Sequence, residues 1–243
     1  MKKWINMLVA YIVMIVVNIL SNTLPINGQT AAEISNRIDV LFTPAGYVFS
    51  IWSVIYGLLA IWLFLLWKKH KSTTKEISSR LTYLFVLSCL LNISWLFSFH
   101  YEQFILSTII IIALLIVLIN IYLMYPVGDS RFSGRLPFSI YLGWISVATI
   151  ANISYTLKYY DVLLGIDEVL VTIILIIIAG LLALIGRYRS DDLFFPLVFV
   201  WAIIGIAESN DATSLVKTAY IVAFNVLVLT FALSLVNKPA KRK

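Results

Sequence analysis

Apolar residues run along the chain in eight blocks, parted by short polar stretches and one long one. The blocks lie at about 4–20, 46–67, 81–99, 104–124, 137–157, 169–186, 193–208 and 215–236. At about 15 to 23 residues each, they suit helices crossing roughly 30 Å of hydrocarbon. None shows the two-residue alternation over about ten residues that marks barrel strands. The pattern predicts an all-α, polytopic transmembrane helical bundle of about eight spans. The seventh block, "LFFPLVFVWAIIGIA", is short and carries Pro196 near its start.

Composition agrees. The 243 residues are 61% hydrophobic and 12% charged, with a mean hydropathy of +0.97. A soluble domain of this length needs more charge to cover its surface. The first residues, "MKKWINMLVAYIVMIVVNIL", begin like a signal peptide. The apolar run is long, however, and no A-x-A site follows, so a retained first helix is expected.

Charge placement orients the bundle. The net charge of +6 comes from basic residues in short tracts beside apolar runs, which read as topology signals and not as a nucleic-acid surface. With the N-terminus in the cytoplasm, the inner segments hold Lys2, Lys3, Lys68, Lys69, Lys71, Lys75, Arg80, Arg131, Arg135, Arg187, Arg189, Lys238, Lys241, Arg242 and Lys243. That is 15 of the 18 Lys and Arg; Arg37, Lys158 and Lys217 fall outside. Seven spans would flip every later loop and break this segregation. The expected location is therefore a cell membrane, bacterial in type, with both termini cytoplasmic.

The long polar stretch, "SNTLPINGQTAAEISNRIDVLFTPA", falls outside. Thr30 and Glu33 have capping-box spacing there, followed by Ile34, Ile38 and Leu41 at helical spacing. Two readings stand: an amphipathic helix on the bilayer surface, or a lid over an outward-facing cavity.

Several chemistries lack their residues. No Asp, Glu, Lys or Arg falls in the middle of a span, which disfavours proton pumps and voltage sensors. His70 and His100 are predicted on opposite sides, and Cys89 stands alone in an apolar block, so no metal site is expected. No phosphate-binding glycine loop, Ser-His-Asp arrangement or HExxH occurs. Binding is therefore favoured over catalysis.

Aromatic and amide residues are what the spans do carry. Phe49, Trp52 and Tyr56 share a face in the second block; Ser88, Asn92, Trp95 and Phe99 do so in the third. In the fifth, Tyr141, Trp144, Ala148, Asn152 and Tyr155 line up. An Asn facing lipid would leave its amide unsatisfied, so Asn92 and Asn152 should point into the bundle. Interfacial belts and helix packing account for such residues one at a time. Convergence of rings and amides at one depth, in the outer half, would instead line a cavity for a flat or elongated apolar ligand with a few polar atoms.

These stripes resemble the TspO/MBR family, the tryptophan-rich sensory proteins related to the mitochondrial translocator protein. The second-helix pattern is matched by "YVFSIWSVIY", with Tyr47, Phe49, Trp52 and Tyr56. The third is matched by Leu91, Asn92 and Trp95, and the fifth by Tyr141, Leu142, Trp144, Ala148 and Asn152. The chain departs from the pattern in three ways. The interval from Phe49 to Trp52 is one residue shorter, a turn of about 100° in an α-helix. Ser50 and Phe97 stand where the family has prolines. About three further helices follow the usual five.

The resemblance implies a five-helix bundle over residues 1–158, with additional C-terminal helices over 159–243. It implies a ligand site at Tyr47, Phe49, Trp52, Tyr56, Asn92, Trp95, Tyr141, Trp144, Ala148 and Asn152. The implied ligand is a porphyrin, a haem-related tetrapyrrole or a sterol, bound for sensing or transport. Porphyrin breakdown with Trp52 and Trp95 as redox-active side chains, and a purely structural subunit, remain as alternatives. Expected partners are the lipid bilayer and a small apolar ligand, with a homodimer left open.

Overall fold

The computed structural model describes residues 1–24, 26–73, 76–162 and 164–236. Its helices are α1 (Lys2–Thr23), α2 (Ala31–Arg37), α3 (Ile51–Ser72), α4 (Ser79–His100), α5 (Phe104–Tyr122), α6 (Leu136–Tyr159), α7 (Glu168–Ser190), α8 (Phe194–Glu208) and α9 (Thr213–Val236). Short 3-10 turns occur at Ile26–Gly28 and Gly46–Ser50, and no strand occurs among the described residues. Each apolar block is a helix in its expected register. Seven are long and apolar enough to cross a membrane.

The eight long helices alternate between two ends of the bundle. At one end the Met1 amine lies 3.2 Å from His70 Nε2, and Lys3 pairs with Glu76 at 2.9 Å. At the other, His100 Nε2 lies 3.3 Å from the Ser21 carbonyl. The two histidines thus stand at opposite ends of α1, as their spacing predicts. The first is called here the terminal end, the second the loop end. Of the basic residues assigned to inner segments, Lys75, Lys238, Lys241, Arg242 and Lys243 lie outside the described residues.

Two of those basic residues are not solvated loop charges. Arg135 and Arg187 are 2% and 1% exposed. They can be buried because helix ends supply acceptors. The Arg135 guanidinium donates to the carbonyls of Ser190 and Tyr125 and lies 4.3 Å over the Tyr122 ring. Arg187 donates to the Thr230 carbonyl, the Ser234 hydroxyl and the Asp191 carboxylate. Asp192 accepts from the hydroxyls of Tyr122 and Ser139 and caps the backbone N–H groups of Phe194 and Phe195. These bonds tie α5, α6, α7, α8 and α9 together at the terminal end.

The central element is α6. Its most apolar window is 67% buried, against 22–39% for the other six long spans. It packs on α5, α8 and α3, while α1 and α4 close one flank and α9 braces α7 and α8.

Helix α8 has 15 residues, about 22 Å of rise, less than the hydrocarbon thickness. The chain compensates by dipping the segment before α3 into the bundle to meet it. The Ala45 N–H donates to the Gly205 carbonyl at 3.0 Å, and the Ser209 hydroxyl to Thr43 at 2.8 Å. The Asn210 amide donates to Leu41 at 3.0 Å, and the Trp201 indole to Val48 at 3.2 Å. Irregular backbone at this depth is tolerated because every such bond is made within protein. The approach needs Gly205, since a Cβ there would lie 2.2 Å from Val48 Cγ2.

The expected capping box forms. The Glu33 N–H donates to Thr30 Oγ1, and the Thr30 N–H donates to Glu33 Oε2. Helix α2 then lies across the loop end of α1 and α4. Its buried Ile34 gives its carbonyl to the Tyr155 hydroxyl at 2.8 Å, and Arg37 pairs with Glu102 at 2.6 Å.

Candidate ligand site: an aromatic box between three helices

Trp52 stands in the first turn of α3, where the dipped Gly46–Ser50 turn delivers the chain below the surface of the bundle. Four rings surround it: Tyr56 stacked at 5.6 Å, Tyr141 at 6.1 Å, Trp144 at 6.2 Å and Trp95 at 6.3 Å. These are distances at which aromatic pairs attract. Phe49 adds an edge contact to Trp144 at 5.7 Å. Despite the shorter interval, Phe49 in the Gly46–Ser50 3-10 turn and Trp52 in the first turn of α3 both reach Trp144.

The backbones of α3 and α4 do not pack closely beside this box, and side chains fill the gap. Trp52, Tyr56 and Trp95 are each partly exposed in it, whereas Tyr141 and Trp144 are buried. Two indole N–H groups, Trp95 Nε1 and Trp144 Nε1, are buried without an acceptor among the described residues. Other indoles do find acceptors: Trp4 donates to Leu63, Trp62 to Tyr125 and Trp201 to Val48. A buried unpaired donor costs on the order of 1–3 kcal/mol. The box therefore holds two donors able to gain from an incoming acceptor.

Asn92 borders the box and is fully buried. Its Oδ1 accepts from Asn18 Nδ2 at 2.8 Å, and its Nδ2 donates to the Tyr141 hydroxyl at 3.2 Å. The polar chain Asn18–Asn92–Tyr141 thus crosses α1, α4 and α6. Asn18 was not among the sequence candidates, although the argument applied to Asn92 holds equally for an Asn in an apolar first helix.

The remaining candidates lie elsewhere. Asn152 turns to α5, where its Oδ1 accepts from Thr108 at 2.8 Å and Ser107 at 3.2 Å; its Nδ2 donates to none of the described residues. Tyr47 pairs edge-on with Trp201 of α8 at 5.2 Å and is 45% exposed. Ala148 is half-buried one turn above Trp144 and adds only a small surface. Tyr155 belongs to a separate ring group with Phe99 and Phe104, beneath α2. No group of three or more His, Cys, Asp or Glu able to hold a metal occurs among the described residues.

A polytopic helical membrane bundle with a tryptophan box beneath its loop end is the class these features define. Residues 3–233 match the TSPO-like protein family, so the chain belongs to that family. The match extends well past the stretch that carries the motifs and takes in α7, α8 and most of α9. No curated protein and no solved structure matches the chain.

Proposed function

We propose that the protein is a membrane receptor or carrier whose aromatic box takes a flat apolar ligand bearing acceptor atoms on its edge, of the tetrapyrrole or sterol kind. The two orphaned indole donors, Trp95 Nε1 and Trp144 Nε1, carry this reading. Helix packing alone accounts for stacked rings but leaves those donors costly. An acceptor on the ligand would relieve them, while Trp52 and Tyr56 offer ring faces for stacking. The partly exposed rings between α3 and α4 give such a ligand a route from the bilayer.

Titration of the purified protein with a porphyrin, read by quenching of tryptophan fluorescence, tests the proposal. Trp52→Leu and Trp95→Leu should each weaken binding roughly tenfold, about 1.4 kcal/mol. Trp4→Leu and Trp67→Leu, a ring pair at the terminal end, should change it little. Equal affinity in all four variants would overturn the proposal and leave the rings as packing. Loss of the porphyrin spectrum under light would instead favour a degrading enzyme.

A further inference from the structure

A cavity of about 430 Å³ lies between α6 and α7, away from the aromatic box. The two helices barely touch, and Val40, Leu41 and the buried Phe42 line the space with them. Ile153 and Leu157 on α6 face Val171 and Leu175 on α7 across the gap, and the walls are mostly apolar.

One polar side chain inside has no partner. Thr172 is 5% exposed, and its hydroxyl has no hydrogen-bond partner among the described residues. In the same fold Thr108, Thr149 and Thr218 each return theirs to the carbonyl one turn back, the usual resting place of a helical threonine. The mouth carries one cation and two carboxylates. Lys158 pairs with Glu168 at 2.7 Å and also donates to the Asp39 carbonyl, and Asp161 sits at the rim with a φ of 53°. Thr172 is one helical turn below Glu168, about 6 Å deeper.

We infer that this slot holds one acyl chain of a zwitterionic phospholipid from the leaflet that contains the α6–α7 turn. The chain lies between Ile153, Leu157, Val171 and Leu175. The ester carbonyl accepts from the Thr172 hydroxyl, and the headgroup ammonium meets Asp161 and Glu168. An anionic headgroup, or a tetrapyrrole dicarboxylate, would face two carboxylates against one already paired lysine.

Native mass spectrometry of the delipidated full-length protein tests this, with phosphatidylcholine and phosphatidylglycerol of identical chains as probes. The wild type should retain one phosphatidylcholine in preference to phosphatidylglycerol. Val171→Trp, which fills the slot, should lower retention about tenfold, and Thr172→Val, which keeps the shape, about threefold. Ile177→Trp, on an exposed face of α7, should leave it unchanged. Should Val171→Trp fail to fold, Thr172→Val against Ile177→Trp still decides. Preference for phosphatidylglycerol, or equal retention in the slot and control variants, would overturn the inference.

Discussion

Asn18 Nδ2 on α1 lies 2.8 Å from Asn92 Oδ1 on α4, and both amides are buried. Neither residue has water to fall back on, so the bond is a specific tie between helices. Asn92→Leu leaves the Tyr141 hydroxyl unpaired and one of the two Asn18 amide protons without its partner, the other still bonding the Met14 carbonyl, and should cost about 1–3 kcal/mol. Asn18→Leu with Asn92→Leu should cost less than the two single changes summed. Unfolding in detergent, analysed as a double-mutant cycle, gives the coupling; additive losses would show no tie.

Gly205 and Val48 are closely seated. Gly205→Ala would set a Cβ 2.2 Å from Val48 Cγ2 and should destabilise by about 1–3 kcal/mol through overpacking. Because the same turn carries Phe49, porphyrin affinity should fall as well. Adding Val48→Ala removes the clashing methyl and should restore both. Failure of the second change to rescue would separate the turn from the site.

The docking of α2 should depend on pH. The hydrogen bond from Arg37 holds the Glu102 carboxyl below its usual value of 4.5. A carboxylate whose native pKa is depressed stabilises the fold above the ordinary value and loses that contribution as pH falls through the native one. Hydrogen exchange in α2 should thus be flat from pH 7 to 5, after correction for intrinsic rates, and accelerate below about 4. Glu102→Gln should reduce the acid step, the remainder coming from Glu33, whose capping bonds with Thr30 also lower its carboxyl, and, the pair being surface-exposed, should change exchange only modestly at neutral pH.

Topology is open to direct labelling. The basic tracts predict a cytoplasmic terminal end. An impermeant thiol reagent outside the cell should label Asp211→Cys and should spare Ser72→Cys and Ser130→Cys, all at exposed positions. Labelling of Ser72→Cys would invert the assignment.

The spans were legible because each apolar block is a helix, seven of them of membrane length among the described residues. The capping box at Thr30 and Glu33 was legible because it is local. The box around Trp52 was partly so, since three stripes at helical spacing point Trp52, Trp95 and Trp144 at one another. Spacing along α6 could not assign its neighbours. One stripe meets α3 and α4 at Trp144 but α5 at Asn152, because α6 is enclosed on nearly every side. Nor could spacing show that Tyr47 would meet Trp201, or that the loop charges Arg135 and Arg187 would be buried. Those pairings join residues far apart in the chain, and only the packed ends of the helices create them.

The seating of Val48 on α8 also sets an order of events during synthesis. Trp201, which holds the Val48 carbonyl, leaves the ribosome 153 residues after it. Early helices of a growing chain can assemble before later ones appear, yet the turn bearing Phe49 lacks its contacts with α8 until that helix is inserted. A nascent chain arrested before residue 194 would own every ring of the box and still lack its floor. On the proposed function, the site would then be complete only once α8 has been inserted beside the turn.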